Sequence, residues 1–492
     1  MKSLFFSLLL VISITPSRVH SQESFQGHPS DKENFIQKVS GDDALTVAEH
    51  FTKARNLHIK FSTVEPFTNG DDTLAWVFRC SPSGFIILSA NTSMTPVLAW
   101  SVESNFGVGL SWETFLPILR SDLVTRNRFA GADAIESINN RQKWDYWMTS
   151  DGNHLFGQWP PAGWSPTGGW LFTNWTQTAP YNDLCPVDGN TSTRSVAGCP
   201  ATAMAQIVNF HQEIHNTRFS DADDYYHNFG SGNQYQIDDD WATFGFPSWD
   251  QLNMYLDTLE LHYQDSITLS NNDMAALTYA CGVSARQVYS SSVSGTYGIN
   301  QAYDAFIRFG YSDAQLVYPS DSTLTEHLSE NIKSGLPAHL GLVDPGNTVG
   351  HNVVVDGYNT DELYHFNFGW GGSANGWYTM PPSSIPYNLT VIEGVVMDIN
   401  LSALPSGISS TNSETNQQMW YISVSAILRI GPGRPAKSDL KIYDLTGRIM
   451  MHLSIPASFS YIDVPLTSLK PGIYIARLTG DNGANSVCKF NR

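Results

Sequence analysis

Residues 194–212 read RSVAGCPATAMAQIVNFHQ. Ala201, Met204, Ala205 and Val208 recur at i, i+3, i+4 and i+7, which predicts an amphipathic helix with one buried stripe, and Pro200 stands in its first turn, where a missing N–H is harmless. Cys199 is the N-terminal neighbour of that helix. Unpaired N–H groups and the positive end of the helix dipole favour a thiolate there, lowering a thiol from its ordinary pKa of about 8.5. A cysteine so placed can be core packing, half of a disulfide, a metal ligand or a nucleophile, and position alone leaves these open.

The rest of the chain narrows the choice. At about 100–200 residues per domain, 492 residues imply some three folded units. With 27 Lys+Arg against 46 Asp+Glu the net charge is −19, and the basic clusters that neutralise phosphates are missing, which excludes nucleic acid as a partner. The one long apolar run, LFFSLLLVISI, follows Lys2 and precedes TPSRVHS, where Val19 and Ser21 suit signal peptidase, so residues 1–21 read as a signal peptide and the protein as exported. At 11 residues that run is well short of the roughly 20 that span a bilayer, so no integral membrane segment is expected. Five cysteines, Cys80, Cys185, Cys199, Cys281 and Cys488, leave at least one unpaired.

Residues 22–150 mix a helical stretch, DDALTVAEHFTKAR, with short β-rich runs such as AWVFRC and GFIILSA, and read as a small α+β unit. The Gly-, Pro- and Trp-rich GNHLFGQWPPAGWSPTGGW reads as an irregular connection. Residues 151–400 form the largest unit, also α+β, with helices at Cys199 and in DMAALTYACGVSARQVY and strands in GHNVVVDGY and LYHFNFGW. Residues 401–420 are polar, as a linker should be. Residues 421–492 show short alternating strands between Gly, Pro and Asp turns, which predicts a small β-sandwich.

A nucleophilic cysteine needs a base. If HNVVV and LYHFN form a hairpin turning about Asn359, His351 faces Asn367, whose side-chain carbonyl would hold the imidazole in the orienting role of a third triad member. The adjoining GWGG and Trp377 would pack over that hydrogen bond, whereas His365 and His211 read as structural histidines. An acyl-transfer site also needs oxyanion donors, and Gln177 in NWTQTAPYN supplies one beside the backbone N–H of Cys199.

The order Gln177, Cys199, His351, Asn367 resembles the papain-like cysteine peptidases. The motifs NWTQTAPYN, AGCPATAMAQIVNFH and GHNVVVDGYNTDELYHFNFGWGG resemble those of the streptopain family of secreted bacterial cysteine peptidases over most of residues 170–400. The resemblance implies a papain-like α+β domain, with Cys199 as nucleophile, His351 as general base and then acid, Asn367 as orienter and Gln177 in the oxyanion hole. It implies no cofactor and no metal, protein or peptide substrates, and a hydrophobic residue at the second position before the scissile bond. Pro200 and Phe368 depart from the usual family residues. GFIILSANTSMTPVLAWSVESNFG is similar to the family's pro-segment, which implies an inhibitory propeptide over 22–150, removed by cleavage between about 140 and 170. LKIYDLTGR and LKPGIYIARLTG resemble the sorting domain of type IX secretion, which implies contact with secretion machinery and a secreted or outer-surface location. On that division the mature unit keeps Cys185, Cys199 and Cys281. The latter is simplest as core, and a Cys185–Cys199 disulfide would block the nucleophile. The competing function is a non-catalytic surface adhesin or binding module on a peptidase scaffold, and a transamidase would use the same acyl-enzyme.

Overall fold

FIILS and VLAWS, residues 85–89 and 97–101, have no polar/apolar alternation because they are covered on both faces, and every residue in them is buried. They are β3 and β4 of an antiparallel meander that begins with β1 (Lys60–Asn69) and β2 (Asp72–Ser81). One face carries α1 (Gly41–Ala54), capped by the Ser40 hydroxyl accepting from Asp43 N, and α3 (Ala134–Thr149), with Phe51, Trp100, Trp144 and Trp147 in a shared core. The other face carries α2 (Ser111–Phe129), which buries Trp112, Phe115 and Leu119. These are regions of a computed structural model that describes residues 37–109, 111–149, 156–344, 350–380, 391–401 and, further on, 419–422, 427–430, 437–444, 448–456, 462–470, 472–480 and 485–491. The expected signal peptide and nearly all of the expected linker lie outside them. Among the described residues no helix is long and apolar enough to cross a membrane.

The meander does not end at β4. Ala99 and Trp100 pair with Tyr378 and Trp377 of β12 (Gly376–Thr379), so one sheet of eleven strands runs through both halves of the chain. From β12 the order continues through β11 (Leu363–Asn367), β10 (Gly350–Asn359), β9 (Ala338–Val343), β13 (Ile392–Met397) and β8 (Gln315–Val317), with β5 (Gln158–Trp159) on the end of β10. A hairpin of β6 (Tyr225–Asn228) and β7 (Gln234–Ile237) stands apart. One face of the sheet is covered by α4 (Cys199–His211) and the helices Trp249–Gln264, Asn271–Ser284 and Ile299–Arg308, in a core that includes Met204, Ile207, Leu252, Leu277, Phe306 and Val354. The opposite face joins Val353, Val355, Phe366 and Phe368 to Phe115 and Leu119 of α2 in a single apolar cluster.

The β10–β11 hairpin corrects the register read from the sequence. Its turn lies at residues 360–362, beyond Asn359, whose Oδ1 accepts from Asp361 N and Leu363 N. A β-bulge at Asp356 then shifts the pairing, so that Tyr358 faces Tyr364 but Val354 faces Asn367. His351 instead pairs with Leu342 of β9. Because side chains alternate along a strand, a one-residue bulge exchanges the two faces for everything beyond it.

At the C-terminal end, β14 (Met419–Ile422), β15 (Ile427–Ile430) and β18 (Ile462–Pro465) form one antiparallel sheet. A second contains β17 (Ile449–Ile455), β16 (Ser438–Asp444), β19 (Ile473–Gly480) and β20 (Asn485–Asn491). Leu428, Ile430, Leu440, Ile442, Ala476 and Leu478 fill the core between them, as the alternating sequence predicts of a β-sandwich.

Candidate active site

Cys199 is the first residue of α4. Gly198 before it has φ +86°, and a Cβ there would stand 2.6 Å from Gln287 Oε1. Gln287 Nε2 donates to the Ala197 carbonyl at 2.7 Å, so the chain entering α4 is held from behind by a buried amide that only glycine can approach. Burial pushes the Cys199 thiol up to about 11, outweighing hydrogen bonds that lower it, those from Asn352 first. This reverses the lowering expected from the helix terminus: at a desolvated sulfur the cost of carrying charge is larger than the dipole's help.

His351 is 3% exposed. Its ring stacks on Trp370 with centroids 4.1 Å apart, and Nε2 lies 2.8 Å from the Phe368 carbonyl oxygen. A carbonyl only accepts, so Nε2 carries the proton and Nδ1 the lone pair. Burial, assisted by the neighbouring His339, pulls the imidazole down to about 4. With the thiol near 11 and the imidazole near 4, both groups are neutral at pH 7 and no thiolate–imidazolium pair exists.

Asn367 is fully buried on the sheet face that packs against α4. Its Nδ2 donates to the Thr173 carbonyl at 2.8 Å, and its Oδ1 accepts from Gly369 N at 3.0 Å and from Gln206 Nε2 at 3.3 Å. It does not hold His351, contrary to the sequence expectation: strand parity puts His351 with Val353 and Val355 on one face, and Asn352, Val354 and Asn367 on the other. Gln177 is half-buried, and its backbone carbonyl accepts from Ala197 N at 2.8 Å, tying that loop to the approach to Cys199. Trp377 packs on Trp100 and His365 and not over His351; Trp370 of the same GWGG stretch takes that place.

Two residues escaped the sequence reading. Gln206, fully buried in α4, accepts from Trp175 N and Thr173 Oγ1 and donates to Asn367, so it joins helix, loop and strand. Its signal was an amide two turns after Cys199 in the run ATAMAQIV. Asn352 has its Nδ2 4.0 Å from Cys199 Sγ and its Oδ1 2.7 Å from His339 Nε2. His365 is structural as expected, its Nδ1 2.7 Å from Asp356 Oδ1 in a fully buried pair whose other carboxylate oxygen accepts from Leu171 N. Cys80, Cys185 and Cys281 are free and buried, with thiols pushed up by desolvation, Cys80 to about 11. Among the described residues no three His, Cys, Asp or Glu side chains are gathered as metal ligands would be.

Comparison with known proteins bears on this arrangement. Residues 175–378 match the Peptidase C10 family and residues 36–119 the Spi protease inhibitor family. Streptopain of Streptococcus pyogenes is 24% identical over 324 residues, 62% of this chain and 73% of its own. The thiol protease/hemagglutinin PrtT of Porphyromonas gingivalis is 28% identical over 281 residues, 55% of this chain and 28% of its own. A prointerpain A fragment of Prevotella intermedia aligns in structure with a TM-score of 0.45 and 22% identity, over 70% of this chain and 99% of that one. By these matches residues 175–378 are similar to the Peptidase C10 family of streptopain-like cysteine peptidases, and residues 36–119, ahead of them in this α+β chain, to inhibitor segments of the Spi type.

Proposed function

We propose that the chain is an exported endopeptidase zymogen in which Cys199 is the nucleophile, His351 the base and acid, Asn367 the orienter and Gln177 an oxyanion donor. The observation that carries this reading is the His351–Phe368 hydrogen bond. It leaves the proton on Nε2 and the lone pair on Nδ1, the tautomer a base needs if Nε2–H is to be held by Asn367, and the carbonyl accepting that proton belongs to the very next residue. In the active arrangement His351 Nδ1 takes the thiol proton and the thiolate attacks the scissile carbonyl. The oxyanion is met by the Cys199 N–H and the Gln177 side-chain amide. Collapse releases the amine, protonated by His351, and leaves a thioester. Water, deprotonated by His351, then attacks the thioester, releasing the acid and the free thiol.

Latency, on this reading, comes from the inhibitor-like segment. It grips the loop after β11: Ser111 Oγ lies 2.6 Å from Ser373 Oγ, Ser104 Oγ accepts from Ala374 N at 2.7 Å, and the Phe115 ring is 4.5 Å from Phe368. Holding this loop holds the Phe368 carbonyl against His351. The domain limits at about 150 and 400, export by residues 1–21, a hydrophobic preference at the second position before the scissile bond, and passage to the outer surface through the C-terminal sandwich belong to the same proposal.

One observation favours the rival reading of a non-catalytic binding module: His351 and Cys199 serve opposite faces of the sheet. Active-site titration separates the two. Residues 22–400 under reducing conditions should lose the inhibitor segment and take up about one peptidyl epoxide per chain, while Cys199→Ala stays full length and unlabelled. A wild type that takes no label even after another protease removes the segment supports the binding module.

A further inference from the structure

We infer that His339 and Asn352 are positioning residues for the nucleophile: the buried His339 imidazole clamps the Asn352 carboxamide against the Cys199 sulfur, in the place the general base must take. This rests on the reading of His351 as that base.

The register of β9 on β10 sets up the clamp. Gly341 faces Asn352 and His339 faces Val354, so all four lie on the α4 side of the sheet. The Asn352 amide leans diagonally onto His339, where Oδ1 meets Nε2 at 2.7 Å. The amide oxygen only accepts, so His339 donates, and this fixes which end of the carboxamide faces away. The Nδ2 end turns toward Sγ at 4.0 Å. His339 is completely buried, its ring meets Phe306 edge-on at 5.8 Å, and its Nδ1 has no hydrogen-bond partner among the described residues. Among the described residues the one hydrogen bond of this buried imidazole is to Asn352.

Strand parity makes the contact exclusive. His351 and Asn352 are neighbours on an extended strand, so only one of them can face α4 at a time. For His351 to reach Cys199, the segment 350–352 has to roll or slip by one residue, and the His339–Asn352 hydrogen bond must break in that step. The clamp therefore adds to the inhibitor segment's hold from the opposite face of the sheet.

The test uses the full-length protein and reads the rate at which a peptidyl epoxide labels Cys199 before any cleavage, together with the rate of the first cleavage. His339→Leu and Asn352→Ala should each raise both rates about fivefold, the scale of one net hydrogen bond, and the double variant should add nothing. His339→Gln, whose amide can still donate to Asn352 Oδ1, should return both rates toward wild type. Unchanged or slower rates in His339→Leu, with near-UV circular dichroism intact, overturn the clamp; if that variant does not fold, Asn352→Ala decides alone. Failure of the underlying reading looks different: the wild type then stays unlabelled even after the inhibitor segment is removed.

Discussion

A sulfur held at about 11 and an imidazole at about 4 make a pair that a change of pH alone cannot switch on near neutrality. The sign follows directly: a raised thiol pKa means the thiolate fraction, and with it alkylation by iodoacetamide, climbs tenfold per pH unit across pH 6–10, with no plateau, while the chain is intact. After removal of the inhibitor segment the profile should flatten near neutral pH, as an ion pair with His351 replaces the isolated thiol. Gly198→Ala tests the other side of the same residue. Its positive φ and the 2.6 Å approach to Gln287 Oε1 predict a loss of about 1–3 kcal/mol, read in denaturant unfolding. The residue types of the proposed site were readable as candidates in the sequence, because Cys at a helix start and His and Asn on neighbouring strands are local patterns. Asn352 was not, since its role depends on which face of β10 it occupies.

At the scale of elements, the decisive object is the bulge at Asp356. A turn at residues 360–362 in place of Asn359 moves the pairing by an even number and keeps His351 and Asn367 on one face; the bulge adds one residue and separates them. Nothing in NVVVDGY announces it, because three consecutive valines suit either face equally. The bulge is pinned by the buried Asp356–His365 pair and by Gly357, where a Cβ would lie 2.6 Å from His365 Cβ. Asp356→Ala leaves His365 Nδ1 and Leu171 N without partners and should lower stability by about 1–3 kcal/mol in urea unfolding. Helix α4 was the easy element, its 3.6-residue period unambiguous, and the alternation in the C-terminal strands was equally readable. The joining of β4 to β12 was not, since nothing local marks two strands more than 270 residues apart as neighbours.

Across the whole molecule, further side-chain contacts fasten the inhibitor segment to the peptidase domain beyond its grip on the loop after β11. Arg55, at the C-cap of α1, meets Asp361 through Nε at 2.9 Å and packs over Phe156 at 3.9 Å. Arg126 of α2, buried beside Asp122, donates to Thr379 Oγ1 at 2.7 Å and to the Thr379 carbonyl at 2.8 Å. Trp100 stacks on Trp377 at 5.9 Å. Arg126→Ala leaves Asp122 buried without its partner, so the full chain should unfold with about 3 kcal/mol less stability and convert to the labelled form sooner, followed by denaturant midpoint and epoxide uptake. The seam between β4 and β12 rests on two residue pairs, Trp377 with Trp100 and Tyr378 with Ala99, so its hold comes from these side chains more than from the ladder. If processing takes β4 away, as proposed, β12 becomes the rim of a shortened sheet, with open backbone N–H and C=O groups beside Trp377 and Tyr378. Bare rims recruit strands from neighbouring molecules. The freed enzyme should therefore self-associate as its concentration rises, in light scattering, where the uncleaved chain stays dispersed.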